Sequence, residues 1–402
     1  MSALRQLRHS LLFLGRGSPL RARLKPVSGP TGNYLHAHQS LSVVFGMALT
    51  ATLLPFIILL PPFSGFATQP DWVQGFASAG IFVLLALGLN VVVGLAGLLD
   101  LGYAAFFAIG AYSYAYGASP FSGVHLPFWP LLLVGALVAA VFGLLLGAPT
   151  LRLRGDYLAI VTLGFGEIVP VVFRNANTYT NGINGIGGLY RPALPVYGTF
   201  LGLDPVPYYI TVVALVTGAM ILLYRLQDSR LGRAWMAIRE DELAAASMGI
   251  NTVTTKLLAF AIGASTAGLA GVFYASKVTI ISPDSFLFAV SFTILAMVVL
   301  GGMGNVWGVA AGAFVVYEIQ SEFLKQMNGF VANLNLPAVN LGFMTFDLSK
   351  VDFLQYQFLL YGLALVGMML LRPEGLFPSR RRQAELHDTD DADAANQELV
   401  EA

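Results

Sequence analysis

Residues 239–250 read REDELAAASMGI: four charges, three consecutive alanines and a glycine, in a chain with only 11% charged residues. This group makes or breaks no bond, but its residue types suit a mechanical contact. Glu240, Asp241 and Glu242 precede an alanine-rich turn, where the N-terminal end of a helix favours negative charge. Gly249 stands where a helix stops. Ala234, Met236, Ala237, Ile238, Leu243, Ala244, Ala245 and Met248 fall at helical spacing. A helix with charged ends and a small-residue middle can dock shallowly in a groove of another protein. The contact residues are then Arg239, Glu240, Asp241, Glu242, Ala244, Ala245 and Gly249.

Other chemistry finds little support. Cysteine is absent, which removes disulfides, thiolate catalysis and Cys-based metal sites. The five histidines (His9, His36, His38, His125, His387) give no helical metal-binding pair. No Gly-Lys pair occurs, so the phosphate-cradling Walker loop is missing. No cofactor or metal is therefore expected on this chain, and an enzymatic role is poorly supported. The formal net charge of zero argues against a nucleic-acid partner.

Polar side chains inside apolar runs are the next candidates, since a central charge in a bilayer costs about 2.5–3.5 kcal/mol and usually faces a cavity or a partner. Asn90 can line a cavity or bond a neighbouring helix. Glu167 can line a path or pair with Arg174, seven residues on. Asp100 falls at the expected inner surface. Tyr103, Phe106 and Phe107 can form an apolar gate or simply pack.

The elements that must position these residues are membrane helices. Hydrophobic residues make up 56% of the 402 residues, and apolar runs approaching the ~20 residues of a bilayer span recur throughout. Ten segments stand out: 41–60, 73–99, 102–117, 128–148, 156–174, 206–225, 257–277, 286–301, 303–323 and 353–371. The short, glycine-flanked 102–117 is expected to be broken or re-entrant. The fold class is all-α and polytopic, with a basic arm (1–40), a transmembrane bundle (41–378) containing the loop 226–255, and an acidic, disordered tail (379–402).

Orientation follows from the basic residues. With the N-terminus in the cytoplasm, 17 of the 22 Lys and Arg fall inside, leaving Arg174, Arg191, Lys277, Lys325 and Lys350 outside. Both termini and the loop 226–255 are then cytoplasmic. The acid-free, Arg-rich arm can be an organellar targeting segment or a cytoplasmic arm lying on anionic headgroups; the second is favoured.

Small residues at every fourth position let membrane helices approach closely. Gly263, Ala267 and Gly271 share such a face, and Gly304, Gly308 and Gly312 follow the same register. Glycine clusters in 94–110 and again in 298–313, a paired interruption that points to a pathway built from repeated halves.

The loop resembles the cytoplasmic Glu-Ala-Ala…Gly motif that forms the coupling helix of ABC importer permeases. Leu243 occupies the motif's glutamate position, and the acid moves to Glu242. That variant suits the branched-chain amino acid permeases. GLAGLLDLGYAAFFAIGAY (94–112), LRLRGDYLAIVTLGFGEI (151–168), TNGINGI (180–186), VVLGGMGN (298–305) and RPEGLFP (372–378) resemble the same branch, in family order. The resemblance implies one membrane half of a bacterial inner-membrane importer for leucine, isoleucine and valine. It also implies a second related permease, two cytoplasmic ATP-binding subunits carrying ATP and Mg, and an external substrate-binding protein. The two Asn-Gly pairs of TNGINGI favour tight turns, so this outer loop can be a landing place for that protein or merely a connector. Permeases for urea or other amino acids are the alternative. An ion-coupled secondary transporter is a further one, although only Glu167 serves as a midplane carboxylate.

Overall fold

The computed structural model describes residues 46, 51, 69–150, 156–194, 198–199, 205–278, 280–323, 339–340, 345–346, 356–371 and 376–377. The basic arm 1–40, nearly all of the first apolar segment 41–60 and the acidic tail 379–402 lie outside the described residues. Each of the other nine segments carries a helix, the conformation that satisfies every backbone group within one apolar run. They are α1 (Gln69–Leu89), α2 (Tyr103–Gly117), α3 (Phe128–Thr150), α4 (Asp156–Asn175) and α5 (Pro205–Gln227). The loop 226–255 itself holds α6 (Arg230–Glu240) and α7 (Glu242–Ser247). The chain continues through α8 (Thr252–Val278), α9 (Phe288–Gly301), α10 (Val306–Glu318) and α11 (Gln357–Leu371).

Six helices among the described residues are long and apolar enough to cross a membrane: α1, α3, α4, α5, α8, and α9 with its preceding turn. The shorter α2 is not broken. It is one helix of 15 residues, buried along nearly its whole length. The interruption lies before it: α1 widens into a π-helical turn at Asn90–Leu95, and residues 96–102 form an irregular connection.

The core forms around α1, whose most apolar window is 89% buried inside the chain, against 33% for α3 and α4 at the rim. α8 packs on α1, α2 and α3, and its small residues explain how. A Cβ on Gly263 would lie 2.6 Å from a Val92 methyl, and one on Gly271 would lie 2.3 Å from the Phe107 carbonyl oxygen. Ala267 between them is fully buried. These distances leave no room for a side chain, so backbone-to-backbone approach holds the bundle together. In the second half, Gly312 packs on Gly301, where a Cβ would come within 2.3 Å of its Cα, and Gly308 packs on Phe377. Gly304 does not share their face. α10 starts only at Val306, and Gly304 belongs to the preceding turn with φ of +83°.

At the opposite end of α8 from the loop, Ile186–Gly187 pairs antiparallel with Ile280–Ile281. This places the TNGINGI segment against the end of α8, and Arg174 of α4 forms an ion pair with Asp284 beside it.

Candidate coupling site and helix-lined path

The charged loop folds as two short helices rather than the single one expected. Ser229 caps α6 by accepting the Gly232 N–H at 3.3 Å. Trp235 is fully buried and donates its indole N–H to the Thr255 carbonyl at 2.7 Å, pinning α6 to α8. The helix ends at Glu240 because Asp241 is extended (φ −152°, ψ 110°) and turns its carboxylate onto the N–H groups of Leu243 (2.8 Å) and Ala244 (3.0 Å). Asp241 is thus the N-cap of α7. α7 ends in a Schellman motif: Ile250 N–H reaches the Ala245 carbonyl at 3.1 Å and Gly249 N–H the Ala246 carbonyl at 3.0 Å. Gly249 supplies the required positive φ of +83°.

The seven loop residues singled out from the sequence divide by direction. Glu242 turns back to form an ion pair with Lys256 of α8, whose side chain is only 7% exposed. Ala245 is buried against the bundle. Glu240, Ala244 and Gly249 face outward. So do Leu243 and Met248, 75% and 85% exposed, apolar side chains that the sequence reading used for periodicity and omitted from the contact set. Their signal was available: both follow the acids on the small-residue turn.

Arg239 points inward. Its guanidinium Nη1 donates to the Gly94 carbonyl in the π-helical turn. Two further glycines make room for it. A Cβ on Gly97 (φ +70°) would sit 2.7 Å from Arg239 Cγ, and one on Gly304 would sit 3.4 Å from Nη1. Gly304 is also the residue whose N–H is accepted by Asn90 Oδ1 at 2.8 Å. A Cβ on Gly94 would fall 2.0 Å from that same Oδ1 and 2.7 Å from the Gly304 nitrogen. Arg239, Asn90, Gly94, Gly97 and Gly304 therefore form one clasp. It joins the loop to the glycine-rich interruptions of both halves, 94–102 and 301–305. Asn90 serves this inter-turn bond and is 1% exposed, so it lines no cavity in this chain. The RPEGLFP segment braces the second interruption: Leu376 N–H reaches the Leu300 carbonyl at 2.8 Å, and Asn305 Nδ2 donates to the Phe377 carbonyl at 2.9 Å.

The first interruption continues into α4. Asp100, expected at the surface, is 1% exposed. One carboxylate oxygen accepts the Gly102 N–H at 2.9 Å, while Oδ2 has no hydrogen-bond partner among the described residues. The nearby Thr162 hydroxyl donates to the Ala159 carbonyl at 3.1 Å and accepts the Leu101 N–H at 3.1 Å, so its proton is already committed. Burial pushes the Asp100 carboxyl up to about 6. Gly102 and Gly166 touch backbone to backbone: a Cβ on Gly102 would lie 2.0 Å from the Thr162 carbonyl oxygen, and one on Gly166 2.9 Å from Gly102 Cα. The clasp and α4 thus meet at the same seven-residue connection.

The aromatic gate expected at Tyr103, Phe106 and Phe107 lies inside this chain's own bundle. All three are at most 2% exposed. Tyr103 donates its hydroxyl to the Gly263 carbonyl at 2.9 Å, Phe106 stacks near Phe165, and Phe107 near Tyr274 and Phe286. These contacts are packing. Glu167, by contrast, is exposed on α4 and makes no hydrogen bond or ion pair among the described residues. Arg174 pairs instead with Asp284, 110 residues away in sequence.

A buried, glycine-packed bundle of membrane-length apolar helices, tied to an exposed amphiphilic loop, is the architecture of a multi-pass membrane protein. The family model for the permease component of branched-chain amino acid transport systems matches residues 72–370. The high-affinity branched-chain amino acid transport system permease protein LivM of Escherichia coli K12 is 41% identical, across 76% of this chain and 70% of that protein. A probable LivM of Methanocaldococcus jannaschii is 25% identical over 68% of this chain and 74% of its own. The autoinducer 2 import permease LsrC of Salmonella typhi is 27% identical over 75% and 84%. No solved structure matches. The chain belongs to the branched-chain amino acid transport permease family.

Proposed function

We propose that this chain forms one membrane half of an ATP-driven importer for leucine, isoleucine and valine in a bacterial inner membrane. A second, related permease completes the translocation path. Two cytoplasmic subunits bind ATP and Mg and dock on the outward face of the loop, through Leu243, Ala244 and Met248 with Glu240 at the rim. An external binding protein delivers substrate at the TNGINGI end. Both termini and the loop lie in the cytoplasm, in keeping with the distribution of Lys and Arg.

The observation that carries this reading is the clasp. A loop built to meet another protein sends one guanidinium to the Gly94 carbonyl, between the glycine-rich turns of two halves. A structural connector has no use for that reach; a push rod needs it. Displacement of α6 and α7 by a nucleotide-driven partner is delivered at Gly94, Gly97 and Gly304, where close backbone packing allows discrete shifts rather than gradual deformation.

The test is reconstitution. With the partner permease, the ATP-binding subunits and the loaded binding protein, proteoliposomes accumulate labelled leucine only with ATP. This chain alone, under proton or sodium gradients, accumulates none. Gradient-driven uptake by the chain alone would overturn the assignment in favour of a secondary transporter.

A further inference from the structure

Resting on the importer reading, the inference concerns where substrate touches this chain. Glu167 is the twelfth of the 20 residues of α4. At 1.5 Å per residue it stands about 16 Å from the helix's loop-side end and about 12 Å from the other. Tyr157, Ile160, Glu167, Ile168, Val171 and Val172 are all exposed and recur at helical spacing, leaving one stripe of α4 uncovered by the rest of the chain. Gly164 opens a gap in it: a Cβ there would meet nothing within 4 Å. A carboxylate at that depth does not face acyl chains, so the stripe faces water or another polar group.

The chemistry around the carboxylate selects among occupants. Glu167 is flanked along the stripe by the branched aliphatic side chains of Ile160, Ile168, Val171 and Val172, beside a notch at Gly164. An α-amino acid with a branched aliphatic side chain presents the complement: an ammonium for the carboxylate and a hydrocarbon for the aliphatic rows. The opposite face of the same helix, at Thr162 and Gly166, packs on the connection that begins at the Arg239 clasp. The stripe is thereby attached to the element that moves.

We propose that the open face of α4 is this chain's wall of the translocation path, and that Glu167 binds the ammonium group of the passing amino acid there.

Because the chain contains no cysteine, Glu167→Cys gives it a single thiol. The complete transporter carrying that variant, in lipid nanodiscs, is treated with a water-soluble cationic methanethiosulfonate, and this chain is then isolated and weighed by mass spectrometry. Modification is expected, slowed at least threefold while leucine-loaded binding protein and ATP are turning over. Absence of modification both there and at Val171→Cys, one turn away, means that lipid or a partner's side chain covers the stripe, and overturns the proposal. In proteoliposomes, Glu167→Gln is expected to lower leucine moved per ATP about tenfold, and Glu167→Asp to keep at least half. Wild-type stoichiometry in Glu167→Gln also overturns it. ATP-driven uptake by the wild-type complex is scored first: its failure counts against the importer, whereas an inert Glu167 in a working importer counts only against this site.

Discussion

Replacing Arg239 by alanine removes the charge-assisted bond to the Gly94 carbonyl while leaving α6 anchored by Trp235 and Ile238, both buried. Hydrogen bonds to charged groups contribute about 1.5–3 kcal/mol. If that energy links the loop's position to the two glycine-rich turns, its loss weakens the coupling between them about 10- to 150-fold. The assay is leucine accumulated per ATP hydrolysed by the complete transporter in proteoliposomes. Arg239→Ala is expected to lower this ratio at least tenfold, and Arg239→Lys, a shorter point donor, to restore part of it. Gly97→Ala reaches the same clasp from the other side, since the new Cβ would lie 2.7 Å from Arg239 Cγ at a φ of +70°. The double variant should therefore lose no more than the worse single one, a non-additivity that marks a shared interaction. A ratio within twofold of wild type in Arg239→Ala, with the loop still crosslinking to the ATP-binding subunit, would refute the clasp as the transmission element.

Three further outcomes follow from the same geometry. Trp235→Ala empties a fully buried site and should cost about 3–5 kcal/mol, with Trp235→Phe losing about 1 kcal/mol for the Thr255 bond; thermal unfolding in detergent and proteolysis of the loop measure both. Gly249→Ala places a Cβ at φ +83°, costing about 1–2 kcal/mol and fraying α7, which weakens binding of the ATP-binding subunits in a pull-down titration. Asp100 has its pKa raised from 3.8 to about 6, so the folded state holds the proton more tightly than the unfolded one. Stability is then fully retained below the unfolded value and lost as pH rises toward 6. Asp100→Asn keeps the acceptor for Gly102 and should raise the melting temperature at pH 8, by an amount that vanishes near pH 4.

How much of this was legible in the sequence depends on the range of the interaction. The helices, the small-residue face of α8 and the stop at Gly249 are local patterns, and the residues alone give them. The acids ahead of the alanine turn correctly marked a helix N-terminus; that Asp241 would leave α6 in order to cap α7 did not show, because a cap and an interior acid look alike in a linear string. The pairing of Glu167 with Arg174 was a geometric misreading: seven residues on a helix is two turns, about 10.5 Å, beyond ion-pair reach. The aromatic trio stayed undecided between gate and packing for a different reason. Gates and cores draw on the same residue types, and only the packing of α8 across α2 puts Tyr103 against Gly263. The direction of Arg239 was illegible, since its partner lies 145 residues away.

That long-range bond changes what the charged stretch means. Four consecutive charges suggested a surface read entirely by a partner, yet three of them serve the chain itself: Arg239 through Gly94, Asp241 by capping α7, and Glu242 through Lys256 on α8. The Arg239 tie leads to the turn that precedes α2 and touches α4, the Glu242 tie to the helix that packs α1, α2 and α3 together. Under the proposed docking, a partner pressing on Leu243 and Met248 would load both the glycine-rich turn and the central helix α8. If only the Lys256 tie existed, the loop would shift the whole bundle as one body and leave the path unchanged. The Arg239 tie supplies the difference, because it acts on the seven-residue connection at whose far end Gly102 meets Gly166 of α4. Relative motion of α4 against α8 is what two ties to two separate elements can produce and one cannot. Breaking the Glu242–Lys256 pair should therefore loosen the loop without uncoupling it, whereas breaking the clasp should uncouple a loop that remains in place.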